Sequence, residues 1–225
     1  MTTEALVQSD EPVTLVGAGP VKLIELNTVL ALAPVPVAAD GGASHILAAG
    51  IMPDQVIGDF DSLDLSTHGA IPVDRLHHVA EQDSTDFHKC LSRIEAPVTL
   101  AVGFTGGRMD HLLAVFNVLV RLPERRCIVV GPEDVCVLAP PRLEIDLPKD
   151  TTVSLFPMAP VTAQSDGLNW PVDGLEFEPH GQIGTSNHCT GPLTLTVDAP
   201  KMLLLAPKAH LGRLMDALKR APTWT

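Results

Sequence analysis

The sequence is short of positive charge. Its 225 residues carry 15 Lys and Arg against 27 Asp and Glu, a formal net charge of −12. A protein that grips a nucleic-acid backbone needs a basic surface, so that class is excluded. Cysteine is sparse too: Cys90, Cys127, Cys136 and Cys189 include no Cys-x-x-Cys pair. His188-Cys189 has no matching second pair, which argues against a structural zinc site. Cys90 and Cys127 sit in apolar patterns and read as buried free thiols of a reducing compartment. The N-terminus MTTEALVQSDE lacks a basic segment followed by an apolar run, so it does not read as a signal peptide. The most apolar stretch, residues 21–39, is interrupted by Lys22, Glu25, Asn27, Pro34 and Pro36 and does not span a membrane. There is no internal repeat and no low-complexity linker. A cytoplasmic globular protein is expected, because 45% hydrophobic and 19% charged residues do not suit a disordered chain.

What is present is a set of apolar runs that end in acids. Residues 35–39 stop at Asp40-Gly41-Gly42, and Val56-Ile57 stops at Gly58-Asp59-Phe60-Asp61. A strand ending this way leaves a carboxylate at the sheet edge, where open α/β sheets bind ligands. Three carboxylates at two such ends repel one another unless a cation lies between them. Hard oxygen donors favour Mg²⁺, commonly together with substrate phosphates. Asp40, Asp59 and Asp61 are therefore the candidate metal site.

Earlier in the chain, Val13–Val16 leads through Gly17-Ala18-Gly19-Pro20 into a helix expected to reach Ala33. This is either a phosphate-binding opening or a plain tight turn. A short helix follows at residues 43–49, stopped by Gly50. After Leu63 a polar connection leads to a strand at residues 76–79. In residues 81–94, Phe87, Cys90, Leu91 and Ile94 fall on one helical face, with Asp83 in the N-cap place and Asp86, Lys89 and Arg93 on another face. Such a helix is either a capped surface helix with ordinary ion pairs or, starting at a strand's carboxyl end, one that aims Asp83 and Asp86 at the acidic cleft. A strand at residues 97–102 runs into Gly103-Phe104-Thr105-Gly106-Gly107-Arg108-Met109-Asp110-His111, then a helix at 112–122. Gly106 and Gly107 permit close backbone approach, and Arg108 suits a bidentate grip on phosphate. Asp110 caps the helix or serves a ligand; His111 is either a packed or solvated imidazole or a ligand contact.

Strand and helix alternate as far as Gly131, which predicts a mainly parallel sheet. Beyond it come short apolar runs at 135–138, 143–145, 153–156, 193–197 and 202–205, punctuated by Pro and Gly, with one helix at 209–218. The expected architecture is an α/β N-terminal domain over residues 1–132 followed by an all-β, sandwich-like C-terminal domain over 133–225 with a C-terminal helix.

These motifs, in this order, resemble the thiamin pyrophosphokinase (thiamine diphosphokinase) family. The resemblance rests on Ala39-Asp40-Gly41-Gly42-Ala43, Gly50 with Pro53-Asp54, and Ile57-Gly58-Asp59-Phe60-Asp61-Ser62. It continues through Gln82-Asp83-Ser84-Thr85-Asp86 with Lys89, Gly106-Gly107-Arg108 with Asp110-His111, and Gly184-Thr185-Ser186-Asn187. It implies transfer of a diphosphoryl group from ATP to the hydroxyl of thiamin, releasing AMP. It also implies a homodimer with thiamin held between one subunit's α/β domain and the other's β domain. Under it, Mg²⁺ is held by Asp59 and Asp61, with Asp40 or Asp83 as a further ligand. Lys89 and Arg108 neutralise charge, and Asp86 orients or deprotonates the hydroxyl. Gly41, Gly42, Gly106, Gly107, Asp110 and His111 meet the nucleotide, while Gln82, Ser186 and Asn187 meet thiamin. Where the family usually has Asn after Asp-His-x-x-Ala, this chain has Val115. A phosphatase built on Asp59-Phe60-Asp61 and a catalytically silent sensor are the rival readings.

Overall fold

The computed structural model describes residues 4–81 and 83–224. It shows a mixed α/β fold rich in sheet, and the chain divides into two compact units. One runs to Val118 and takes in Val129–Gly131; the other comprises Leu119–Ile128 and the chain from Pro132. The division expected at 132/133 is thus modified: residues 119–128 group with the second unit.

In the first unit the order is β1 (Val7–Gln8), β2 (Val13–Val16), α1 (Leu23–Leu32), β3 (Val35–Ala39), α2 (Ala43–Ala48) and β4 (Gln55–Gly58). Then come α3 (Leu65–Ala70), β5 (Leu76–His78), α4 (Asp86–Leu91), β6 (Ile94–Glu95) and β7 (Thr99–Val102). Both α5 (Met109–Arg121) and β8 (Cys127–Val130) cross the division. Strands β5, β4, β3, β2 and β7 lie side by side in that order, all parallel. Every residue of β2 and β7 is buried. Helices cover both faces of a parallel sheet, so its strands read as unbroken apolar runs rather than alternating ones. From β2 the chain winds outward through β3, β4 and β5, then returns to place β7 on the other side of β2. The order therefore reverses between β2 and β3 on one hand and β7 on the other, the position where such sheets open a crevice at their carboxyl ends. β1 and β6 pair separately, Val7 with Ile94.

Several local expectations shift. The first helix begins at Leu23, not at Pro20. The polar connection after Leu63 contains α3, because the Asp64 carboxylate accepts the Ser66 and Thr67 N–H groups at 3.0 and 2.9 Å and caps it. The helix expected from residue 81 is confined to α4. Its cap is Thr85, whose hydroxyl accepts the His88 N–H at 3.3 Å, so Asp83 is not the N-cap, and Ile94 belongs to β6.

The second unit is antiparallel. Its elements are β9 (Asp134–Leu138), β10 (Arg142–Ile145), β11 (Thr152–Pro157), β12 (Val161–Leu168), β13 (Glu176–Phe177), β14 (Gly184–Val197), β15 (Met202–Pro207) and α6 (Leu211–Arg220). Pairing runs β9, β15, β11, β14, β12, β13, with β10 also on β14. Strand β14 spans 14 residues. Its first part pairs with β11 and its second with β10 and β12, with register shifts at Val153/Leu155 and Asp166/Leu168. Only the apolar end of β14 was expected; the polar first part and β12 alternate too irregularly to stand out. α6 buries Leu211, Leu214, Met215, Ala217 and Leu218 and packs on β10. The four cysteines are unpaired and buried. Among the described residues no helix is long and apolar enough to cross a membrane.

Candidate active site

The crevice of the first unit is a cavity of about 410 Å³. Its wall comes from the loop after β2 (Ala18, Gly19, Pro20), the ends of β3 and β4 (Ala39, Asp40, Asp59, Asp61, Ser62) and the start of α4 (Ser84 to Phe87, with Lys89). The loop after β7 (Gly103 to Arg108) and His111 and Val115 of α5 complete it.

Asp40, Asp59 and Asp61 each bring a carboxylate oxygen within 4.8 Å of the other two. Asp40 is 1% exposed. Its Oδ2 accepts the Ser62 N–H at 3.5 Å, while its Oδ1 has no hydrogen-bond partner. Burial first, then the charge of Asp86 and more weakly those of Asp59 and Asp61, push the Asp40 carboxyl up to about 6. The backbone that delivers these groups is unusual. Asp40 has φ 46° and Phe60 has φ 65°, left-handed conformations that bulky L-residues avoid unless their surroundings hold them there. Behind Asp40 the turn packs so closely on β2 that a Cβ at Gly42 would come 2.0 Å from the Val16 carbonyl oxygen. Three hard oxygen donors, one of them buried and without a partner, make a set that fits a divalent cation.

Lys89 lies across the cluster. Its side chain is 2% exposed, and Nζ donates to Asp59 Oδ2 at 2.8 Å and to Asp86 Oδ1 at 3.2 Å. Burial alone would lower its pKa. The hydrogen bonds to Asp59 and Asp86, with their charges, outweigh that and raise it, so the ammonium stays charged. Asp86, on the first turn of α4, faces the cavity half-exposed.

On the opposite wall Gly106 and Gly107 have φ 73° and 149° with open space around them. Arg108 is exposed and makes a two-pronged contact with Asp110, Nε to Oδ1 at 3.1 Å and Nη2 to Oδ2 at 2.5 Å. Asp110 does not cap the helix. It sits inside the first turn of α5, where Oδ1 accepts the His111 N–H at 3.0 Å, and the Arg108 contact first of all holds its carboxyl down to about 2. His111 reaches the wall; Asp110 does not.

The other sequence-derived candidates fall elsewhere. Gly41 and Gly42 are buried and off the wall, and the crowding around Gly42 shows that glycine is needed there for packing. Asp83 is exposed and outside the acidic group. Gln82 lies outside the described residues. In the second unit Ser186 has φ 61° and its N–H donates to Ser154 Oγ at 3.0 Å. Asn187 is 6% exposed and its amide is spent on the chain itself. Oδ1 accepts the Trp170 and His188 N–H groups at 3.1 and 2.9 Å, and Nδ2 donates to the Trp170 carbonyl at 2.7 Å. These bonds clamp Trp170, an exposed indole whose ring lies 5.9 Å from that of His188. Sequence reasoning also missed Ser84 and Phe104 on the cavity wall. Ser84 Oγ is a second buried polar atom without a partner, and the Phe104 ring packs against that of Phe87, tilted by 58° with centroids 4.8 Å apart. Their neighbours in the motifs were the only signal. Val115 presents an apolar surface to the cavity, and the nearby Asn117 is exposed and off the wall.

A parallel sheet with an acidic, lysine-braced crevice at its switch point, followed by an antiparallel unit, defines the class. Two family descriptions match the chain: "Thiamin pyrophosphokinase, catalytic domain" over residues 26–130 and "Thiamin pyrophosphokinase, vitamin B1 binding domain" over residues 142–202. Thiamine pyrophosphokinase 3 of Oryza sativa subsp. japonica is 31% identical, over 79% of this chain and 80% of its own length. Thiamine pyrophosphokinase 2 of Arabidopsis thaliana is 30% identical, over 66% and 68% respectively. The solved structure of thiamin pyrophosphokinase from Candida albicans covers 92% of this chain and 97% of its own with a TM-score of 0.74 at 16% identity, a likeness of fold. The chain belongs to the thiamin pyrophosphokinase family.

Proposed function

We propose that the protein is a thiamine diphosphokinase, an enzyme that moves a diphosphoryl group from ATP to thiamin. The thiamin hydroxyl oxygen attacks the β-phosphorus, the bond from that phosphorus to the α–β bridging oxygen breaks, and AMP leaves with the electron pair. The observation that carries this reading is the convergence of Asp40, Asp59 and Asp61 with a buried, charged Lys89 in one crevice. Phosphoryl-type transfer is mostly a matter of positioning and charge neutralisation. Asp40, Asp59 and Asp61 would hold a divalent cation, Mg²⁺ by its preference for hard oxygens beside phosphates, with Asp83 as an outer, water-mediated ligand. Such an ion supplies neutralising charge to the polyphosphate.

The chain's own groups do the rest. Lys89 Nζ sits between Asp59 and Asp86, where it can pass a hydrogen bond to a phosphate oxygen. Arg108 exchanges its exposed contact with Asp110 for the nucleotide, a low-cost exchange because exposed ion pairs are weak. Gly106 and Gly107 give the phosphates an unobstructed backbone wall, with His111 beside it. Asp86 orients the thiamin hydroxyl and accepts its proton. In the second unit, the domain proposed to carry thiamin contacts, Ser186 and the indole of Trp170 provide a hydroxyl and a flat apolar face. The finer architecture proposed is an α/β catalytic domain and a β-sandwich domain. They act in a homodimer that sets one subunit's catalytic domain against its partner's β domain. The buried, unpaired cysteines suit a cytoplasmic enzyme.

The experiment is a single assay: protein, Mg-ATP and thiamin, with AMP and thiamin diphosphate quantified together. Equal accumulation of both supports the reading. Inorganic phosphate in place of AMP would point to the phosphatase alternative, and ligand binding without turnover to the sensor.

A further inference from the structure

The acidic turn Asp59-Phe60-Asp61-Ser62 holds an aromatic residue in a conformation it should resist. Phe60 has φ 65°, where an L-residue's Cβ crowds the carbonyl oxygen that follows. Something must hold it there. Its side chain packs on the core formed by Val16, Ala38, Val56, Leu63, Ile71 and their neighbours. Two imidazoles flank the ring: His68 of α3 at 5.9 Å and 75°, and His78 of β5 at 5.7 Å and 47°. Neither histidine reaches the cavity wall, and both are exposed. The chain thus brings two separate elements to one ring that itself lies off the cavity wall.

The two carboxylates beside Phe60 are secured unequally. Asp59 is fixed by the Lys89 ammonium at 2.8 Å. Asp61, exposed, is held by the hydroxyl of its own neighbour, Ser62, at 2.9 Å. A side chain held that loosely takes its direction from its backbone, which is set by the left-handed residue before it together with two long hydrogen bonds, Asp61 N–H to Asp59 Oδ1 at 3.4 Å and Ser62 N–H to Asp40 Oδ2 at 3.5 Å.

We propose that Phe60, clasped between His68 and His78, is a positioning residue that turns Asp61 toward Asp40 and Asp59 and so builds the cation site. The inference rests on the metal reading given under Proposed function. Removing the ring lets residue 60 relax to an ordinary φ and swings Asp61 out of the cluster. The site then loses one of its three donors, while Asp59, held by Lys89, keeps its place.

The test measures Mn²⁺ binding to the full chain without nucleotide, by titration calorimetry, for the wild type, Phe60→Leu, Phe60→Ala and the double variant His68→Ala/His78→Ala. Residues that orient metal ligands typically change affinity by about 10–100-fold, so Phe60→Ala should bind Mn²⁺ at least about tenfold more weakly. Phe60→Leu, which keeps apolar bulk without the ring contacts, should fall between, and the double histidine variant should be weakened in the same direction. In the assay, the Mg²⁺ concentration for half-maximal rate should rise while kcat at saturating Mg²⁺ largely recovers. A purely structural role would lower thermal stability and leave the Mn²⁺ affinity alone. Should Phe60→Ala not fold, the double variant decides, because both imidazoles lie at the surface. Wild-type Mn²⁺ affinity in folded Phe60→Ala, or in the double variant when Phe60→Ala does not fold, overturns the proposal and leaves the metal reading standing. No Mn²⁺ binding by the wild type overturns both.

Discussion

The crevice of the first unit and the Trp170 turn of the second use polar side chains in opposite ways. Around Trp170 they are consumed internally: Asn187 makes three hydrogen bonds to backbone groups, and Ser165 Oγ accepts the Val172 N–H at 3.1 Å. In the crevice Asp40 Oδ1 and Ser84 Oγ are buried with nothing to bond. Buried polar atoms are nearly always paired, and each exception calls for a reason. The first pattern fixes a shape by itself. The second stays incomplete until a ligand supplies the missing partner, and backbone strain at Asp40 and Phe60 concentrates in the same place.

If the crevice is completed by a cation, the largest effect should come from removing a donor. Asp61→Asn keeps the size and removes the charge. Altering an outer partner of a metal ligand costs up to about 100-fold, so losing a ligand should lower turnover by more than that. The far-ultraviolet circular dichroism should not change, since Asp61 is exposed. Wild-type-like rates in this variant would remove Asp61 from the metal site and break the contrast at its strongest point.

Lys89 sharpens the contrast from the other side, being a crevice cation whose own side chain is buried. Truncating one partner of a buried ion pair costs about 3–5 kcal/mol. Asp59 and Asp86 here keep partial access to water, so Lys89→Ala should cost less, about 2 kcal/mol. At about 2–4 °C per kcal/mol for a chain of this size, the melting temperature should drop by roughly 4–8 °C. Turnover should fall more steeply than the affinity for thiamin. The reverse ranking would reassign Lys89 from the reacting phosphates to substrate contact.

The sequence showed the acids more readily than the devices that aim them. Asp40 and Asp59 were legible because each directly follows an apolar run, so the strand's end alone places its carboxylate. From spacing alone Lys89 was legible only as a member of a helix face, since one-dimensional spacing does not say that Asp59, 30 residues away, will meet its ammonium. The left-handed backbone at Phe60 leaves no mark in composition, because glycine or asparagine is the usual sign of it. In the second unit the apolar end of β14 stood out by its alternation. Its polar beginning did not, and the clamp between Asn187 and Trp170 joins residues 17 positions apart in a stretch without periodicity. Spacing alone therefore does not show that the Asn187 amide bonds the Trp170 backbone.

That clamp yields a prediction of intermediate size. Asn187→Ala leaves the Trp170 and His188 N–H groups and the Trp170 carbonyl without their partner. Unsatisfied buried groups cost about 1–3 kcal/mol, so the melting temperature should fall by roughly 2–12 °C, using the same conversion. Under the proposed role for Trp170, KM for thiamin should rise while KM for ATP stays put. Asn187→Asp, which keeps an acceptor for the two N–H groups, should recover part of the stability. Equal changes in both KM values would show that the turn supports the whole fold rather than one ligand, and the contrast between the two regions would weaken.

The smallest effect concerns the metal-free protein, where the crevice should work against folding. The Asp40 carboxyl lies at about 6 in the folded state against 3.8 when unfolded. Between those values the folded protein holds the proton more tightly than the unfolded chain, so stability falls as pH rises from about 4 to about 6 and is level above that. A shift of two units sets a ceiling near 3 kcal/mol; allowing for solvent screening through the open crevice, about 1–2 kcal/mol is expected. Asp40→Asn has no proton to lose, so the wild-type-minus-variant stability difference should carry this slope alone, all other titrating groups being common to both. At pH 7 without metal the variant should be the more stable protein. Millimolar Mg²⁺ should reverse the order, because a ligand that binds only the folded state stabilises it in proportion to its saturation, and the variant lacks the buried donor. A difference curve flat from pH 4 to 7 would mean that Asp40 ionises as freely as a surface carboxylate. Its unpartnered oxygen would then carry no cost for a cation to relieve.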